Sequence, residues 1–414
     1  MITAINCNGE RLGAELAHLA TITEATPPAV TRVVFSDADL RARNYFKDLC
    51  RKAGLSIRED GIGNIFARWQ GSDPESAAIG TGSHTDAIPN AGLYDGVVGV
   101  LGGLEAIRIL QEKGFKPRRS IELLMFATEE PTRFGVGCLG SRALAGTYNE
   151  EKILSLRDEE GNGARDCAKR IGLSGEFNAL MLPENYYGAF VELHIEQGPL
   201  LEKVGLPIGI VTAIAAPASL RVTFEGEGGH AGTVLMPDRK DALLAGAELA
   251  LAVDEISRAT GSADTVGTTG MLQVFPGAIN SIPSRCTLGI DIRDTQLETR
   301  DLAVAGVKLT AQEIAARRNL PITIETINSD PPATCDARII AAAERACETL
   351  KLKPLKMVSR AYHDSLFMAR LFPTCMIFIP SRGGVSHRPD EYSSPEQIAR
   401  GVEVLALTLA QLAE

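Results

Sequence analysis

Nowhere in this 414-residue chain does an apolar run reach the length needed to span a bilayer, which excludes a membrane-crossing helix. The opening residues, Met1-Ile-Thr-Ala-Ile-Asn-Cys7, lack the basic start and apolar core of a secretory signal. Positive charge is in deficit as well. Lys and Arg total 42 against 52 Asp and Glu, and the formal net charge of −10 argues against a nucleic-acid or anionic-membrane partner. The 8 cysteines, at 7, 50, 138, 167, 286, 335, 347 and 375, never stand in Cys-x-x-Cys spacing, so reduced thiols and a cytoplasmic location are expected. Low-complexity tracts and solenoid-length repeats are missing too. What remains is a globular chain too long for one ordinary core, and two domains are expected.

Histidine is scarce as well, and its placement is informative. Of 6 in the chain, only His18 lies in an ordinary amphipathic stretch. His84 (Gly-Ser-His-Thr-Asp), His194 (Glu-Leu-His-Ile-Glu-Gln-Gly), His230 (Gly-Gly-His-Ala-Gly), His363 (Ala-Tyr-His-Asp) and His387 (Val-Ser-His-Arg-Pro-Asp) fall in short polar breaks between apolar runs. Imidazole is the commonest metal ligand and the usual proton carrier near neutral pH, so a polar reaction centre built from distant segments is expected. The apolar run Ile121–Ala127 stops abruptly at Thr128-Glu129-Glu130-Pro131. Two adjacent carboxylates ending a buried strand are costly unless a cation or proton offsets them.

Apolar strands near 77–82, 120–127 and 189–194, separated by helices such as 97–113, predict an α/β domain whose mostly parallel sheet is covered on both faces. Functional residues collect at strand ends in that architecture. The pattern changes near Ala216. Strand 219–225, helix 240–259, strands 266–275 and 284–291, helix 298–319 and strand 321–327 follow in the β-α-β-β-α-β order of a ferredoxin-like α+β unit. The expectation is a catalytic domain over 1–216 and 333–414, interrupted by an inserted domain over 217–332, with Asp330-Pro331-Pro332 as a stiff return linker.

His84, Asp95, Glu130, His194 and His387 form a plausible ligand set for two divalent metals. Mixed nitrogen and oxygen donors suit Zn²⁺, Mn²⁺ or Co²⁺ better than Ca²⁺. Asp95 sits in a Gly-flanked turn before a helix, where a carboxylate can bridge two ions, and Asp86 is placed to hold the far ring nitrogen of His84. Side chains alternate along a strand, so Glu129 and Glu130 point apart. Glu130 is assigned to metal and Glu129 to general base. Each element has a plainer reading on its own: a solvated acid pair, a turn histidine, a helix start.

Together these segments resemble the dinuclear-metal amidohydrolases that include N-carbamoyl-L-amino-acid hydrolases, allantoate amidohydrolases and ureidoglycolate amidohydrolases. The resemblance spans about Arg11 to Leu412 and is most specific at His194-Ile-Glu-Gln-Gly-Pro199, Gly228-Gly-His-Ala-Gly232, Asn280-Ser-Ile-Pro283 and Ser386-His-Arg-Pro-Asp-Glu391. It implies one metal on His84, Asp95 and His194 and another on Asp95, Glu130 and His387, with Mn²⁺ expected and Zn²⁺ the alternative. It further implies that Gln197 hydrogen-bonds within the site. His230, Asn280 and Arg293 become substrate contacts reaching the neighbouring subunit's site, so the inserted domain is expected to serve as lid and homodimer interface. His230 would stabilise an oxyanion, and the planar fork of Arg293 suits a carboxylate.

One departure selects within the family. Where related enzymes have Ser-Gly-Ala-Gly-His-Asp-Ala, this chain reads Ser359-Arg-Ala-Tyr-His-Asp-Ser365, which resembles plant-type ureidoglycolate amidohydrolases. Arg360 and Tyr362 would narrow the pocket beside His363 and add a phenol, favouring a small hydroxylated ureido acid. The expected reaction is hydrolysis of (S)-ureidoglycolate with ammonia release, in purine and ureide catabolism. Allantoate and N-carbamoyl-L-amino acids are the alternatives, and a peptidase or deacylase of the wider fold group is a more distant one. A binding or scaffold protein would show a missing ligand or base, and a thiol hydrolase using Cys138 lacks an adjacent histidine.

Overall fold

In the computed structural model, which describes residues 5–414, apolar strands alternate with helices through the first half of the chain. Residues 1–4, part of the opening segment weighed against a secretory signal, lie outside the described residues. Among the described residues, no helix is long and apolar enough to cross a membrane.

The residues up to Thr212, with Cys335–Met357 and His363–Glu414, pack as one unit. Its sheet runs in the order Ile208–Ile214, Thr374–Ile379, Tyr187–Ile195, Ala78–His84, Ile121–Phe126, Ile65–Trp69, Ser56–Glu59. The strands from Thr374–Ile379 to Ile121–Phe126 are mutually parallel, whereas the flanking pairs are antiparallel. Parallel pairing therefore holds at the centre alone. One cause is the Asp60 turn, whose carboxylate accepts from the Ile62, Gly63 and Asn64 amides and folds Ser56–Glu59 back on Ile65–Trp69.

Strands Ala78–His84, Ile121–Phe126 and Thr374–Ile379 are buried along their whole length, as expected for a sheet covered on both faces. Helices Val97–Glu112 and Pro395–Ala413 pack on each other and on these strands. At Gly99 a Cβ would lie 2.3 Å from the Leu193 carbonyl oxygen, so glycine is what lets the first helix approach so closely. Parallel strands present their C-terminal ends along one edge. There the chain places His84, the Thr128–Glu130 loop and His194.

A second unit comprises Ala213–Thr334 and Val358–Tyr362. Strands Ala216–Glu225, Val266–Phe275, Arg285–Asp294 and Ile322–Ser329 form an antiparallel sheet, with Arg285–Asp294 and Ala216–Glu225 central. Helices Ala242–Ala259 and Leu297–Arg318 cover one face. Leu220, Val222, Phe224, Leu249, Leu288 and Val307 are buried between them and the sheet. Leaving aside the two-residue strands Gly229–His230 and Ser281–Ile282, the element order is β-α-β-β-α-β. This unit is wider than the sequence span 217–332. Ile214 and Ala213 pair with Ala333 and Thr334, and the Ala215 amide donates to the Ser359 carbonyl. Those contacts draw both crossings and the 358–362 segment into the second unit.

Candidate metal centre

The centre is built at the strand edge of the first unit. His84 is the last residue of its strand, and its ring is 2% exposed as a residue. Its Nδ1 lies 3.0 Å from the Asp86 backbone carbonyl and 3.5 Å from the Asp86 carboxylate, so the nearer support is main chain. The Asp86 carboxylate has another duty that sequence reasoning missed. Its two oxygens accept the Glu129 amide at 3.2 Å and the Glu130 amide at 3.0 Å. One side chain thereby fixes the backbone of both glutamates.

Asp95 precedes helix Val97–Glu112, and its carboxylate is the meeting point of the imidazoles. Oδ1 lies 3.2 Å from His194 Nε2 and 4.0 Å from His84 Nε2, while Oδ2 lies 3.0 Å from His387 Nε2. His387 Nε2 is also 3.4 Å from Glu130 Oε1. Donor atoms of His84, Asp95 and His194 lie within 4.8 Å of one another, as do those of Asp95, Glu130 and His387. The turn needs Gly96. Its φ is +66°, and a Cβ there would stand 2.4 Å from the His84 ring.

Side chains around the donors are themselves held. Gln197, at φ 56°, gives its Nε2 to Asp95 Oδ1 at 3.0 Å and Ser386 Oγ at 3.1 Å. Glu391, another residue that sequence reasoning missed, accepts the Tyr94 and Asp95 amides at 2.8 and 3.1 Å, and Ser386 donates to its other oxygen at 2.9 Å. Glu192 was missed too. It lies inside the apolar strand Tyr187–Ile195 and accepts from Ser83 Oγ and from the Ser365 amide and hydroxyl. Its donors lie within 4.8 Å of those of His194 and His363, and the His363 ring stands 4.6 Å from that of His194. A carboxylate flanked by valine and leucine in a buried strand was the available signal.

The electrostatics describe an excess of buried carboxylate. Burial pushes Glu129 well above its ordinary value, and burial with Asp95 pushes Glu130 up to about 8. Burial opposes charge on His84, yet Glu129, Asp86 and Asp95 hold its imidazole well above the usual range. The hydrogen bond to Asp95 raises His387 to about 9. Burial works against ionised Asp95 too, but His387, His194 and His84 keep its carboxyl low. Glutamates that burial makes hard to ionise, facing imidazoles that hold their protons tightly, gather buried negative charge that a cation would offset. The donor set of nitrogen and oxygen fits a divalent transition-type ion.

The remaining site candidates lie in the second unit. Strand Gly229–His230 pairs with Ser281–Ile282, and the Ala231 amide donates to the Asn280 carbonyl, so His230 and Asn280 share one small ladder. Arg293 donates to Asp291 at 2.7 Å and to the Arg360 carbonyl at 3.1 Å. Tyr362 ends the 358–362 segment of the same unit.

The sequence profile described as peptidase family M20/M25/M40 matches residues 80–411. The chain belongs to this family. Among M20 proteins it is 53% identical over 412 residues to the ureidoglycolate hydrolase of Oryza sativa subsp. japonica, covering 98% of this chain and 85% of that protein. The N-carbamoyl-L-amino acid amidohydrolase of Geobacillus stearothermophilus is 39% identical over 411 residues, 98% of this chain and 99% of that one. The crystal structure of AtUAH in complex with (S)-hydroxyglycine matches this M20 fold with a TM-score of 0.90 at 49% identity, covering 99% of this chain and 98% of that chain. The motif resemblance drawn from the sequence leads to the same group of amidohydrolases.

Proposed function

We propose that the protein hydrolyses a linear ureido amide, (S)-ureidoglycolate above its alternatives allantoate and N-carbamoyl-L-amino acids, with release of ammonia. Full-length similarity to a ureidoglycolate hydrolase supports the substrate class. So does the AtUAH complex, since (S)-hydroxyglycine is the carbinolamine left when the carbamoyl group is hydrolysed from ureidoglycolate and departs as carbon dioxide and ammonia. The observation that carries the chemistry is Asp95, whose two oxygens face different imidazoles at 3.2 and 3.0 Å and so form the shared corner of two donor groups.

Two divalent cations, Mn²⁺ by preference or Zn²⁺, would be held by His84, Asp95 and His194 and by Asp95, Glu130 and His387. When bound, such cations supply Lewis acidity and make water acidic enough to react near neutral pH. Glu129 takes the proton from the attacking water and returns it to the leaving nitrogen. Burial raises this carboxyl, which suits a group that must act as base and then acid. Asp86 holds the Glu129 and Glu130 backbone in place during both transfers.

His230 is assigned to the developing oxyanion and Arg293 with Asn280 to the substrate carboxylate, each reaching the neighbouring subunit's site, with Gln197, Tyr362 and His363 as further substrate contacts. Arg293 already spans Asp291 and the Arg360 carbonyl, so a bound carboxylate exchanges with one of these partners. The inserted unit is assigned the roles of lid and homodimer interface, and the enzyme a cytoplasmic setting. Ammonia release from ureidoglycolate, allantoate and N-carbamoyl amino acids by manganese-loaded protein tests the reading. Preference for ureidoglycolate is expected, and faster turnover of either other substrate overturns the assignment.

A further inference from the structure

The loop that carries Glu129 is gripped from a second side. Carbonyls of Ala127, Thr128 and Glu129 accept from the amides of Gly140, Leu139 and Cys138 at 2.9, 2.9 and 2.8 Å. Thr128 and Cys138 both have left-handed backbones, φ 60° and 55°. A residue other than glycine in that region is uncommon, and such outliers persist where the surrounding structure holds them, often at functional sites. The side chain at Cys138 is fully buried, and its Sγ lies 3.5 Å from Glu129 Oε1. The other oxygen of Glu129, Oε2, faces His84 Nε2 at 3.8 Å. The thiol therefore occupies one carboxylate oxygen and leaves the other turned toward the donor cluster.

We infer that Cys138 is a positioning residue: its thiol donates to Glu129 Oε1 and so orients the carboxylate for proton transfer through Oε2. This rests on the reading of Glu129 as the base. Cys138 itself takes no part in bond making.

The test compares C138G, C138A and C138S in manganese-loaded enzyme. Glycine tolerates the left-handed backbone best and removes the thiol, so C138G separates side chain from main chain. Losing the hydrogen bond that holds Glu129 Oε1 predicts a fall in kcat of about tenfold in C138G and C138A. KM and metal content should stay at wild-type values. Serine restores a donor, and C138S should recover most of the loss. In an E129Q background, C138G should cause no further loss, because the group it orients is gone. Wild-type kcat in C138G, a loss carried by KM or metal content, or an added loss on top of E129Q each overturns the inference. Full turnover by E129Q alone removes Glu129 as base, a separate failure from an inactive E129Q beside an unaffected C138G.

Discussion

Replacing Asp86 by alanine should damage the centre without touching a metal donor. Its carboxylate accepts the buried amides of Glu129 and Glu130 at 3.2 and 3.0 Å, and D86A strands both. A buried amide left without a partner costs about 1–3 kcal/mol, so the pair together costs about 2–6 kcal/mol. In a chain this long, that lowers the melting temperature by a few degrees to about 10 °C. D86N keeps one carbonyl oxygen and should lose roughly half as much. The nearest support of His84 Nδ1 is the residue-86 carbonyl at 3.0 Å, which both variants retain, so the ring should hold its orientation. The damage should fall on the two glutamates, with metal affinity reduced about 10–100-fold. Thermal unfolding, metal titration and ammonia release measure the three effects. A D86A protein with wild-type melting temperature and metal affinity would refute the reasoning.

Metal removal should make stability fall with rising pH. Glu130 at about 8 and His387 at about 9 both lie above their ordinary values, so the fold binds these protons more tightly than the unfolded chain. Their stabilisation is complete below about 4.3 and 6.5 respectively and is lost as pH rises through the folded values. Metal-free protein should therefore melt lower at alkaline than at mildly acidic pH, with added cation closing the gap; the reverse order in calorimetry contradicts the assignment. Gly96→Ala combines a left-handed backbone with a Cβ 2.4 Å from the His84 ring. It should cost about 1–3 kcal/mol and weaken metal binding, and an unaltered metal titration would count against the packing argument. Every cysteine is buried, and burial pushes the Cys7 thiol up to about 12, so few thiolates form near neutral pH. An alkylating agent should leave the native enzyme active while a chelator silences it, and the opposite pattern would favour thiol chemistry.

The strand-end positions of His84, Glu129 and His194 were legible because buried strands read as unbroken apolar runs and stop where polar residues begin. The order of the main strands and helices of the second unit was legible. Its edges were not, because pairing of Ala213 and Ile214 with Thr334 and Ala333 leaves no local mark. The supporting carboxylates were hidden for the same reason. Glu391 meets Tyr94 across 297 positions, and Glu192 meets Ser83 across 109, separations that only tertiary packing defines. The Asp86 carboxylate lies 3.5 Å from the neighbouring ring to which it was assigned, and it also reaches 43 and 44 residues along the chain to two amides. Sequence exposes which residue types interrupt a pattern. It does not say which distant backbone a buried acid will hold.

The grip of Glu391 on the amides of Tyr94 and Asp95 has a consequence for biosynthesis. A polypeptide synthesised only through its first half holds His84 and Asp95 but not the clamp that fixes their turn. The Asp95 turn is completed by a residue 296 positions away, so the centre cannot be assembled from the first half alone.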